Sequence, residues 1–145
     1  MSMRLNARLV AWLASGLLMV CGCASTPKRD LTRLQGTWVG EELNGPKGEC
    51  RMTVEGHTLK FQGASPQEWY VGTLTLVPKA HPKQAIVTIV DCPYRPYINK
   101  AALAIYHLEG DKLTLAGHEP GNDRFPTAFA HDQASQTRAF VFTRQ

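Results

Sequence analysis

The chain has 145 residues, with 16 lysines and arginines against 12 acidic side chains and a formal charge of +4. Two of those basic residues, Arg4 and Arg8, precede residue 23; without them 14 face 12, a near-neutral balance that gives no case for a nucleic-acid binder. About 120 residues then remain, enough for one domain around one core.

Arg4 and Arg8 lead into an apolar run from Leu9 to Val20 in which only Ser15 is polar. A basic start followed by a short apolar stretch reads as a secretory signal, and the run is too short to span a bilayer as a permanent helix. It ends in Val20-Cys21-Gly22-Cys23. That stretch resembles a bacterial lipobox: a small residue, Gly22, directly precedes Cys23, and the aliphatic Val20 stands three before it. Cys21 is preceded by the bulky Val20. Residues 1–22 therefore read as a lipoprotein signal peptide and Cys23 as the acylated first residue of the mature protein. Residues 23–33, polar and containing Pro27, read as a tether, and residues 34–145 as the folded domain. Acyl chains contribute about 0.8 kcal/mol per buried methylene, so two or more anchor stably. The expected location is the cell envelope, on the periplasmic or surface face of a bacterial membrane.

The rest of the chain shows short alternating runs separated by turn residues. Strands are predicted over 36–43, 49–55, 57–62, 68–77, 85–92, 102–108, 112–116 and 138–143. In 49–55, for example, Cys50, Met52 and Val54 alternate with Arg51, Thr53 and Glu55. Such period-two patterning over eight short runs predicts an all-β fold, an eight-stranded up-and-down antiparallel barrel. Closure removes both exposed edges, and a barrel of this size can hold one small ligand. Gly72, inside the fourth run, marks a bend or bulge. Cys50 and Cys92 share the parity of their apolar neighbours. In an oxidising envelope they are a candidate disulfide, with two buried free thiols as the other reading.

Leu34-Gln35-Gly36-Thr37-Trp38, followed by Ile105-Tyr106-His107-Leu108-Glu109-Gly110-Asp111-Lys112-Leu113-Thr114-Leu115, resembles an uncharacterised family of lipocalin-like bacterial proteins abundant in planctomycetes and their relatives. Gly121, Arg124, Pro126 and Phe129 extend the resemblance, which covers residues 30–145. Two departures are Phe125, between Arg124 and Pro126, and Ala116, where relatives often carry cysteine. The resemblance implies a small β-barrel with no established activity. It also implies a structural role for Gly36 and for Trp38 as the tryptophan that plugs one end.

No catalytic residue stands out. There is no G-x-S-x-G elbow, phosphate-cradling glycine loop or H-E-x-x-H. No two of the five histidines have metal-ligand spacing. Asp91 beside Cys92 would raise a thiol pKa rather than activate it. The reading is a non-enzyme with no cofactor and no metal.

In an up-and-down barrel the first, third, fifth and seventh connections share one rim. These are 44–48, 63–67, 93–101 and 117–137, the last two being the longest connections of the chain. That rim would be an open mouth bearing Tyr94, Arg95, Tyr97, His118, Arg124, Phe125 and Phe129, candidates to bind a small amphipathic or anionic ligand. Alternatively the seventh loop folds back over the mouth as a plug. The functional expectation is a lipid-anchored binding barrel or envelope accessory. The other reading is a protein-interaction module, such as a periplasmic protease or lysozyme inhibitor.

Overall fold

The computed structural model describes residues 26–145. The expected signal segment, with Cys21 and the expected acylation site Cys23, lies outside the described residues. The described chain begins with a helix, α1 (Pro27–Leu34), and continues as eight strands: β1 (Gly36–Glu42), β2 (Glu49–Glu55), β3 (Thr58–Gln62), β4 (Trp69–Val77), β5 (Lys83–Asp91), β6 (Ala101–Glu109), β7 (Lys112–His118) and β8 (Thr137–Arg144). Every strand pairs antiparallel with the next, and β8 pairs with β1, so the sheet is a closed up-and-down barrel in sequence order. The predicted architecture is the observed one. The sheet register shifts between Val71 and Gly72, the bulge expected there.

Closure brings β1 and β8 into close contact. Gly40 faces Phe142 across this seam, and a Cβ there would collide with the Val141 carbonyl. Gly36 links α1 to β1 with φ of 106°, a conformation that side chains other than glycine disfavour. The inward positions of the strands form the core, with Trp38, Met52, Val54, Leu74, Leu113 and Phe142 all buried. Trp38 is fully buried and donates its indole N–H to the Leu34 carbonyl at 2.9 Å. The Arg144 guanidinium carbon stands 4.3 Å from the centre of its ring. The tryptophan thus ties α1, β1 and β8 together at one end of the barrel.

Residues 27–33 are not a tether. Thr26 caps α1 by accepting the Arg29 N–H, and Pro27 fits the first turn, where its missing N–H costs nothing. Leu31 and Leu34, one turn apart, both pack on the core. The helix stoppers the end opposite the long loops. Asp30 fixes it in place: its carboxylate is buried and accepts from Lys83 Nζ at 2.6 Å and the Tyr106 hydroxyl at 2.9 Å. Such a short amphipathic segment is hard to see in sequence because only two apolar residues define its face.

Cys50 and Cys92 do not form the expected disulfide; both are buried free thiols. They stand at the same end, but β3 and β4 separate their strands around the wall. The Cys92 thiol donates to the Tyr94 carbonyl at 3.1 Å instead. Burial pushes the Cys50 thiol pKa up, which favours the inert protonated form.

Asp30→Ala would remove the buried carboxylate that accepts from Lys83 and leave the Tyr106 hydroxyl without that acceptor. It should cost about 3 kcal/mol in urea denaturation, against less than about 0.5 kcal/mol for the exposed Lys28→Ala. Burial, and then the bond to Asp30, raise the Tyr106 pKa in the folded state. The unfolded chain therefore loses that proton first, so stability should fall as pH rises beyond about 10. Tyr106→Phe should flatten that alkaline fall.

Candidate functional site

The barrel interior is not filled. The inward positions of β5, β6 and β7 carry small residues, Ala85, Ala102, Ala104 and Gly117, which leave space that Phe61 and Phe140 bound from the other side. The cavity has a volume of about 160 Å³ and runs from Leu34 on the stoppering helix to Pro120 and the exposed Glu119 in the seventh loop. It therefore opens at the long-loop end. An apolar cavity of about this size stays dry and accepts a small apolar molecule in other proteins. A ladder of rings leads out of it: Phe140 to Phe61 at 5.3 Å, Phe61 to Tyr70 at 6.2 Å, Tyr70 to Tyr97 at 6.5 Å and Tyr97 to Tyr94 at 4.7 Å.

The charged side chains of the lining, Arg138 and Glu119, sit at the mouth. Arg138 occupies an inward position of β8, two residues before Phe140, with its guanidinium carbon 5.2 Å from that ring's centre. Its Nε and Nη2 donate to the two carboxylate oxygens of Glu42 at 2.8 and 2.6 Å. Its Nη1 and Nη2 also donate to Glu68. The bonds to Glu42 above all hold the guanidinium in its charged form, and Glu68 adds to this. Glu42 is itself buried, with His131 Nδ1 at 3.9 Å as a second neighbour. Across the mouth, Tyr97 donates its hydroxyl to Glu119 Oε2 at 2.8 Å. The Tyr97 pKa is pushed up to about 12, by burial first and by Glu119 second, so the phenol remains a donor at neutral pH.

Among the residues expected at the mouth, His118 lines the cavity. Its Nδ1–H donates to the Arg124 carbonyl at 2.6 Å. Tyr97 reaches the site through Glu119, and Tyr94 packs edge-on against it. Tyr94 and Tyr97 also border a shallow polar groove beside the mouth. Arg95 and Arg124 point to solvent, with side chains 80% and 88% exposed, and stand 3.8 and 4.0 Å from Asp91 and Asp123. Phe125 is half-buried and does not line the cavity. Phe129 packs against Ile105, Ala116 and Ala139, which point outward from β6, β7 and β8. The seventh loop therefore straps the outside of the wall with this phenylalanine, which does not plug the mouth.

The sequence reading missed Arg138, Glu42, Glu68 and Glu119. A signal for two of them was present: Glu42 shares the inward parity of Trp38, and Arg138 that of Phe140. Opposite charges at core positions of two strands that meet on closure imply a buried ion pair.

Arg138→Ala would leave the buried Glu42 without its partner. The variant should lose about 3–5 kcal/mol at neutral pH. Arg124→Ala should leave the melting temperature within a degree or so, because its side chain is solvated.

No protein-family model matches the chain, and neither a curated protein nor a solved structure is significantly similar to it.

Proposed function

We propose that this protein is a lipid-anchored barrel of the bacterial cell envelope that binds a small amphipathic molecule through its open mouth. The observation that supports ligand binding is the cavity: an apolar interior continuous with a rim of charged and hydroxyl groups. An apolar tail placed there would be removed from water at about 25 cal/mol per Å² buried, while its polar end stays at the rim. A core meant only for stability is filled to crystal-like density, and small residues on three adjacent strands forgo that packing. The lipid on Cys23 would attach just before α1, at the stoppered end, and so hold the mouth away from the membrane.

Octanol serves as a neutral test ligand. It should bind the wild type in isothermal titration calorimetry, and Ala104→Phe, which fills the cavity, should abolish that binding while keeping or raising the melting temperature. Unchanged octanol affinity in Ala104→Phe would place the site elsewhere. In cells given a clickable fatty acid, the wild type should take up label and Cys23→Ala should not. Label that survives in Cys23→Ala and is lost in Cys21→Ala would move the anchor to Cys21.

A further inference from the structure

We propose that the cavity selects a ligand whose polar end is a cation, an amine or quaternary ammonium on an apolar tail. This rests on the ligand-binding reading above and adds the headgroup chemistry. Besides the phenols of Tyr70 and Tyr106, the charged or titratable side chains in the cavity lining are Arg138, Glu119 and His118. Arg138 cannot receive an anionic head. Its guanidinium is engaged by two carboxylates, Glu42 and Glu68, and that group of three carries net negative charge. His118 commits its Nδ1–H to the Arg124 carbonyl. Glu119 engages Oε2 on the Tyr97 hydroxyl, and among the described residues no donor meets its Oε1.

The mouth thus holds three carboxylates to one guanidinium, with Glu42 and Glu68 bonded to Arg138 and Glu119 bonded to Tyr97. The other charged groups nearby do not reverse this. His131 lies against Glu42, already counted among the acids. Lys100 borders the neighbouring groove but not the cavity. Arg95 and Arg124, which would have suited an anion, point to solvent beside aspartates. The rings complete the fit. Tyr70 lines the cavity, with Tyr97 at 6.5 Å, and the negative face of a phenol ring attracts a desolvated ammonium. A cation seated between Glu119 and Tyr70 has both a charge partner and an aromatic wall. A sulfate or carboxylate in that position meets uncompensated carboxylates.

Three probes with one tail separate the charge from the cavity: octyltrimethylammonium, octanol and octyl sulfate, each titrated below its critical micelle concentration. The ammonium should bind about tenfold more tightly than octanol, the sulfate more weakly than octanol. Added salt should shrink the difference. In Glu119→Gln the ratio of ammonium to octanol affinity should fall to about threefold or less, with an unchanged melting temperature confirming that the exposed side chain was not needed for folding. Octanol binding with sulfate equal to or tighter than ammonium would overturn the cationic headgroup and leave the cavity reading intact. Failure of all three probes to bind would overturn both.

Discussion

Closure of the sheet at the β1–β8 seam is the constraint on which everything else depends. If β8 did not return to β1, two long strand edges would lie open to pairing with other chains. Here one cluster secures the seam. Trp38 sits on β1, Arg144 on β8 covers its ring, and the indole N–H holds the last turn of α1. Arg144 also donates to the carbonyls of Arg33 and Gln35 and to Asp111 at the β6–β7 turn. One arginine thus joins the helix, the seam and a hairpin. Removing the indole would cost about 3–5 kcal/mol in packing alone. It would also release the stopper that makes the interior a one-ended cavity.

The two ends are built on opposite principles. The stoppered end pairs its buried and half-buried charges with partners of opposite sign, Asp30 with Lys83 and Arg144 with Asp111. The mouth keeps an excess of carboxylates around Arg138. A buried ion cluster of this kind is weak evidence for stability, because desolvation consumes much of the Coulomb gain. Its effect on the mouth is clearer. It occupies Arg138, the one lysine or arginine in the cavity lining among the described residues, and fixes the first residues of β8 beside the aromatic ladder. Between these ends the alanines and glycine of β5, β6 and β7 set the cavity, and the cavity sets what chemistry the mouth can serve.

Much of the fold was legible from the sequence because it rests on period two. Cys50, Met52 and Val54 alternate cleanly, and so do Leu113 and Leu115; each set points inward. The gathering of long loops at one rim follows from counting connections. Three things were not legible. α1 carries basic and polar residues around its two leucines, so Leu31 and Leu34 look like isolated apolar residues in a polar run. The pairing of Cys50 with Cys92 failed because shared height on a barrel says nothing about lateral separation, here two strands. The candidate site was legible only in part because loop aromatics and arginines draw attention, and of these Arg124 and Phe129 serve the outside of the molecule. The groups at the mouth are strand-end charges that break the inward apolar pattern. His118 alone was both anticipated and found on the cavity wall, as the last residue of β7.

The central claim is that the cavity between α1 and the mouth takes up an apolar tail from the long-loop end. Intermolecular nuclear Overhauser contacts to octanol test it most directly. The account predicts contacts from the terminal methyl to Leu34 and Leu113, deep in the barrel, and from the hydroxyl-bearing carbon to Pro120 and Tyr70 at the mouth. Contacts confined to exposed side chains such as Val90, or the reverse orientation with the hydroxyl at Leu34, would contradict it.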